Sequence, residues 1–241
     1  MVNALAVPFF ALGAFASLAA AQCPQVHVFG ARETTAPPGF GSAGPVVDMV
    51  LSSVPGSTAE VINYPACGGQ ASCGGVSYAQ SVIDGVNAVA NQVNTFNAEC
   101  PNTVLVLIGY SQVSQMGPSG SSGRLLEDTD KRRFVPQGGQ IFDDAFCGGG
   151  DTNEGLTNTA IPISTAAQSK IAAAIFFGDP RRIPGESFNV GTCTASGVRP
   201  DSPPIRCSIV LDTHKHCPTC TVRTAASWFP MPVCQPDTVV L

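Results

Sequence analysis

The stretch "TVLVLIGYS" (103–111) constrains the chain most. Val104, Leu105, Val106, Leu107 and Ile108 follow one another without a polar break. That is the pattern of a strand covered on both faces, in the middle of a parallel sheet. Such a strand needs helices on both sides, and the neighbouring segments supply them. Residues 77–98 place Val82, Val86, Val89, Val93 and Phe96 at helical spacing, with Asn, Gln and Ser opposite. Residues 44–54 have helical apolar spacing too. "VHVFGARETT" (26–35), "AEVINYPA" (59–66) and "KIAAAIFFGDP" (170–180) read as further strands, and "GGQIFDDAFC" (138–147) as a helix start. Strand and helix alternate, so a doubly wound α/β fold is expected: a three-layer α/β/α sandwich around a central parallel sheet.

In such sheets chemistry gathers at the carboxyl ends of strands. Ser111, Asp179 and the loop at 31–35 all fall there. Gly109-Tyr110-Ser111-Gln112 begins a nucleophile elbow, whose small flanking residues let the backbone bend and lift a serine hydroxyl. The pattern then calls for glycine, and Val113 stands in its place. From these residues Ser111 is open between nucleophile and helix N-cap. A nucleophile needs a base. His27 reads as a packed strand residue; His214 and His216 lie near Asp212 in "LDTHKHCPTC". That segment also has a zinc-like H-x-H-C-x-x-C spacing, but Cys217 and Cys220 are expected to be oxidised. No metal or other cofactor is expected.

Charged residues are only 12% of the chain and the net charge is −5, without the basic face a nucleic-acid binder needs. An apolar run ending Ala19-Ala20-Ala21 reads as a secretory signal at residues 1–21. A secreted protein with no membrane anchor after cleavage is expected, starting near Gln22. Ten cysteines fit that oxidising destination. Residues 22–241 read as a single domain and a monomer.

Several motifs carry a resemblance: "CPQVHVFGARETTAPPGFG", "STAEVINYPACGGQASCGGVSYAQSV", "NTVLVLIGYSQ", "GGQIFDDAFCGGGD", "AAIFFGDPRRIPG" and "FNVGTCTASG". Over roughly 23–112 and 138–197 the chain resembles fungal acetylxylan esterases of the cutinase-like family. The resemblance implies a lidless α/β-hydrolase domain that deacetylates xylan, or another plant cell-wall ester, through a Ser-His-Asp triad. It makes Ser111 the nucleophile, and places Thr34 and the amide of Gln112 in the oxyanion hole. It implies disulfides Cys23–Cys100, Cys67–Cys73 and Cys147–Cys207, and a tail partner for Cys193 among Cys217, Cys220 and Cys234. Asp179 matches a structural turn. His214 and Asp212 are poor positional matches and the sole triad candidates available. Cutinase activity on aliphatic polyesters is the alternative within enzymes. A non-catalytic protein on the same scaffold is the alternative outside them.

Two segments depart from the family. The family reads G-Y-S-Q-G-G, and here Gly138-Gly139 supply those glycines 25 residues late. Residues 113–137 hold seven charged residues, against 22 in the other 216. Val113-Ser114 can be encoded by a splice-donor sequence, and Gln137 by a splice acceptor. The segment reads as a retained intron. An insertion directly after Gln112 is expected to detach Ser111 from the helix that should follow it, leaving little or no esterase activity. The tail (197–241) lacks the family's closing helix, which Pro230, Pro232 and Pro236 forbid.

Overall fold

A computed structural model describes residues 23–111, 137–148, 150–185, 189–190 and 238–240. Six strands form one sheet: β1 (Val26–Ala31), β2 (Thr58–Val61), β3 (Val104–Tyr110), β4 (Ile171–Phe177), β5 (Asn189–Val190) and β6 (Thr238–Val240). Their order is β2-β1-β3-β4-β6-β5. The first four are parallel, and β6 pairs antiparallel with both β4 and β5. Four helices are described: α1 (Gly44–Ser53), α2 (Tyr78–Glu99), α3 (Gly138–Cys147) and α4 (Thr165–Gln168).

The unbroken apolar run of β3 is divided between two cores. Leu105 and Leu107 pack with α2 and α3, while Val106 and Ile108 pack with α1. In β1, Phe29 and Val28 divide in the same way. Successive side chains point to opposite faces, so a strand covered on both sides has no place for a polar residue. The helix expected at 77–98 is α2, and Ser77 caps it by accepting from the Gln80 amide at 3.1 Å. Val82, Val89 and Val93 are fully buried. Each contributes roughly 1.5 kcal/mol or more over the exposed state.

The strand expected at 59–66 ends early, at Val61. Beyond it the Ile62 amide still donates to the Gly30 carbonyl at 2.8 Å, and Arg32 takes the carbonyls of Tyr64 (2.6 Å) and Pro65 (3.3 Å). A guanidinium thus replaces a neighbouring strand as their partner. Two disulfides form as the resemblance implied, Cys23–Cys100 and Cys67–Cys73. The first spans 77 residues, a separation worth about 4 kcal/mol in the chain-entropy account of cross-linking. Cys147 is disulfide-bonded, and its expected partner Cys207 lies outside the described residues. So do Cys193, Cys217, Cys220 and Cys234, and the leader at 1–21. Among the described residues no helix is long and apolar enough to cross a membrane.

Candidate active site

β3 ends at Tyr110, and Ser111 is the next residue. The Ser111 amide continues the sheet by donating to the Phe177 carbonyl of β4 at 2.7 Å. The serine is fully buried. Its Oγ accepts a hydrogen bond from the Gly139 amide, at the N-terminus of α3, at 2.9 Å. The hydroxyl left open between nucleophile and N-cap thus takes up one of the first-turn amides of α3, although the N-cap residue of that helix is Gln137.

This overturns the expected detachment of Ser111 from the following helix. The helix is docked because three glycines permit it. A Cβ on Gly109 would lie 2.3 Å from the Gly138 carbonyl oxygen. One on Gly138 would lie 2.5 Å from the Tyr110 oxygen and 2.6 Å from the Ala31 oxygen. Backbone therefore meets backbone at the ends of β1 and β3. Gly139 faces Ser111 Oγ directly.

Gln137 also departs from expectation. It was assigned to the foreign segment, yet it is fully buried. Its side chain accepts from Ser81 Oγ (2.8 Å) and donates to the carbonyls of Cys67 (2.8 Å) and Tyr78 (3.4 Å). Its carbonyl accepts from the Ile141 amide at 2.9 Å, within the first turn of α3.

The other wall is the loop after β1. In the sequence Arg32 and Glu33, at a strand end, read equally as functional or as solvated residues; the fold holds both. Arg32 is buried, donates from Nε to the Ala36 carbonyl at 3.1 Å, and lies 5.1 Å from the Tyr64 ring centroid. The Tyr64 hydroxyl donates back to the Arg32 carbonyl. Glu33 accepts from the amide and hydroxyl of Ser42 at 2.9 and 2.8 Å. Thr34 lies between these anchors. Thr35 follows with φ 69°, and its amide donates to the carbonyl of Ala66, which has φ 51°. Left-handed backbone in two non-glycine residues costs roughly 1–3 kcal/mol each. The Arg32 clamp across both loops offsets it.

Behind α3 lies a buried carboxyl cluster that sequence reading missed. Asp143 and Asp144 (α3), Asp151 and Asp179 surround Arg181, all at most 5% exposed. The Arg181 guanidinium pairs with Asp144 and lies 3.3 Å from Asp143 Oδ2. Asp179 Oδ1 accepts from the Arg181 amide at 3.0 Å, which makes it a turn-forming residue as the family match implied. Asp151 accepts from Gln140 at 2.6 Å, and Gln140 accepts from the Tyr78 hydroxyl. The signal available in sequence was an Asp pair in an apolar helix and a further Asp before a buried turn.

Burial pushes Asp144 up to about 7 and Asp179 up to about 6, against the pull of Arg181. It holds Asp143 well above the usual carboxylate range. These groups bind protons more readily folded than unfolded. Their burial cost is small near pH 4 and grows as pH rises through 6 and 7. His27 acts in the opposite sense: burial lowers it to about 4, so its contribution is complete above 6.5 and fades as pH falls to 4. Three carboxyls outweigh one imidazole. The thermal midpoint is therefore expected to be higher at pH 5 than at pH 8, and a scanning-calorimetry series that rises with pH would refute this.

His27 is not near Ser111. It lies inside β1, stacked on Phe96 with ring centroids 3.9 Å apart. It pairs in register with Leu105, six residues from Ser111, or roughly 20 Å along the strand. Its Nε2 lies 3.8 Å from Glu60, but a ring this buried is neutral at pH 7 and forms no ion pair there. The candidate base His214, the candidate acid Asp212, and Gln112 lie outside the described residues, as does His216.

Comparison with known proteins places this geometry. The family model described as Cutinase matches residues 22–126. The chain is 52% identical over 196 residues to Cutinase 11 of Verticillium dahliae, aligning 81% of this chain with 58% of that protein. It is 53% identical to an acetylxylan esterase of Hypocrea jecorina (73% and 50%) and 54% identical to acetylxylan esterase 2 of Talaromyces purpureogenus (73% and 64%). It thus spans between half and two thirds of these relatives. Among solved structures, the catalytic core domain of acetyl xylan esterase from Trichoderma reesei aligns with a TM-score of 0.60 at 52% identity, over 72% of each chain. An acetylxylan esterase solved at 0.90 Å aligns with a TM-score of 0.61 at 53% identity, over the same shares. With more than half of its aligned residues identical across most of those folded domains, the chain belongs to the cutinase family.

Proposed function

We propose that the protein is a secreted serine esterase that removes acetyl groups from xylan or a related plant cell-wall ester. One observation carries the reading: Ser111 follows the central strand, with its hydroxyl on the amide-bearing end of α3. Amides there favour negative charge, which is what an acyl-transfer transition state develops on oxygen. In the proposed reaction Ser111 Oγ attacks the acetyl carbonyl carbon while a histidine takes the hydroxyl proton. The oxyanion is held by amides beside Ser111 and by Thr34. The sugar oxygen leaves with that proton, and water then releases acetate from the serine. His214 and Asp212 are the candidates for base and acid.

Replacing Ser111 with alanine tests this. Hydrolysis of 4-nitrophenyl acetate is expected to fall by about 10⁴-fold or more. Equal rates for the two chains would leave a non-catalytic protein on this scaffold. The likeness to Cutinase 11 supports a second reading, hydrolysis of longer aliphatic esters. A rate that falls steeply from acetate to hexanoate esters favours deacetylation, and a flat profile favours cutinase action.

A further inference from the structure

Resting on the esterase reading, we infer that Arg32 is a positioning residue for Ser111, acting not on the substrate but on the backbone against which α3 is seated. Arg32 directly follows β1, and the residue is buried, with its guanidinium on carbonyls of two loops. Nε donates to Ala36 at 3.1 Å, in the loop after β1. One terminal nitrogen donates to Tyr64 at 2.6 Å and to Pro65 at 3.3 Å, in the segment after β2. The Tyr64 hydroxyl returns a bond to the Arg32 carbonyl, so residues 32 and 64 are tied in both directions. That same carbonyl is where the loop meets α3: a Cβ on Gly138 would lie 2.7 Å from it. Gly139, the next residue, donates to Ser111 Oγ at 2.9 Å. Contacts therefore run without a gap from the guanidinium, through Tyr64 and the Arg32 carbonyl, to the amide that holds the serine hydroxyl.

Two observations favour positioning over stability alone. The first is strain. Thr35 and Ala66 have φ 69° and 51°, and the Thr35 amide donates to the Ala66 carbonyl at 2.7 Å, across the seam that the guanidinium spans. Strained backbone persists where its surroundings over-determine it, as at sites that must keep one geometry. The second is the choice of group. An apolar side chain would fill the same volume without burying a charge. A guanidinium adds a planar fork of charge-assisted donors, stronger and more directional than neutral ones. The fork sets the angle between the two loops as well as their separation.

The test measures kcat and KM on 4-nitrophenyl acetate, well below each variant's melting temperature. Arg32→Met is expected to lower kcat by about 10²-fold, the cost of a misplacement of about 1 Å, with KM within about threefold. Arg32→Lys supplies one point charge in place of the fork and is expected to recover part of that loss. Tyr64→Phe deletes only the returning hydroxyl and is expected to lower kcat by about tenfold. Because both residues act through one run of contacts, the double variant is expected to lose no more than Arg32→Met alone. Losses that simply multiply would place the two on separate routes and overturn the inference. So would an Arg32→Met chain that melts lower yet keeps kcat within about twofold, or one in which KM alone rises. Should circular dichroism show that Arg32→Met does not fold, Tyr64→Phe decides, and an unchanged kcat there is the overturning result. If the full chain and Ser111→Ala hydrolyse the ester equally, the esterase reading itself fails and the inference falls with it. An active full chain beside fully active Arg32 variants sinks this inference alone.

Discussion

Arg181→Met is expected to destabilise the protein by roughly 3–5 kcal/mol at pH 8, the range seen when one partner of a buried charge pair is removed. Methionine fills similar space, so little of this loss comes from packing. The loss is electrostatic. Arg181 is the cation among Asp143, Asp144 and Asp179, and its guanidinium also takes the Gly148 carbonyl at 3.3 Å. Without it the carboxyls must either remain charged in a buried site or take up protons. Proton uptake is easier at low pH, so the penalty should shrink at pH 5. Urea unfolding of both chains at pH 5 and pH 8 measures this. An equal loss at the two pH values would mean that Arg181 acts through packing alone. The effect should also reach the candidate active site, because Asp143 and Asp144 belong to the helix whose first turn holds Ser111.

Gly138→Ala is expected to cost roughly 3 kcal/mol, at the upper end of overpacking penalties. The added methyl would stand 2.5, 2.6 and 2.7 Å from the carbonyl oxygens of Tyr110, Ala31 and Arg32. None of these is the movable end of a side chain, so α3 or a strand end must shift. Such a shift lengthens and weakens the 2.9 Å hydrogen bond from the Gly139 amide to Ser111 Oγ. Hydrolysis of 4-nitrophenyl acetate should then fall too, because the Gly139 amide no longer fixes the hydroxyl of the proposed nucleophile. Gly139→Ala is the milder comparison, since its Cβ would meet Ser111 Oγ at 3.1 Å. Gly44→Ala is milder still, with ordinary contact at 3.8 Å from Phe40. Thermal melts that fail to rank the three in this order would refute the close-approach account.

Much of the fold could be read from local pattern. The valines of α2 and the apolar run of β3 announced their elements because burial repeats with the period of the backbone. The strand expected at 59–66 was misjudged for the same reason: Ile62 and Tyr64 look like strand residues, and pattern alone does not show that Arg32 captures the carbonyls beyond them. Arg32 itself was open between a functional and a solvated residue. Its burial depends on Tyr64 and Pro65, more than thirty residues away. The Asp143–Asp144 pair lacked a visible partner because Arg181 lies 37 residues further on.

The sequence by itself determined the order of β1 to β4 and α1 to α3, the placement of Ser111 at the end of the central strand, and the membership of that strand in a parallel sheet. Those follow from hydrophobic spacing and from which residues a buried strand can hold. Only the tertiary structure decided that the start of α3 meets Ser111. Gly138 and Gly139, having no side chains, bring the start of α3 to Ser111 and carry Gln137 with them.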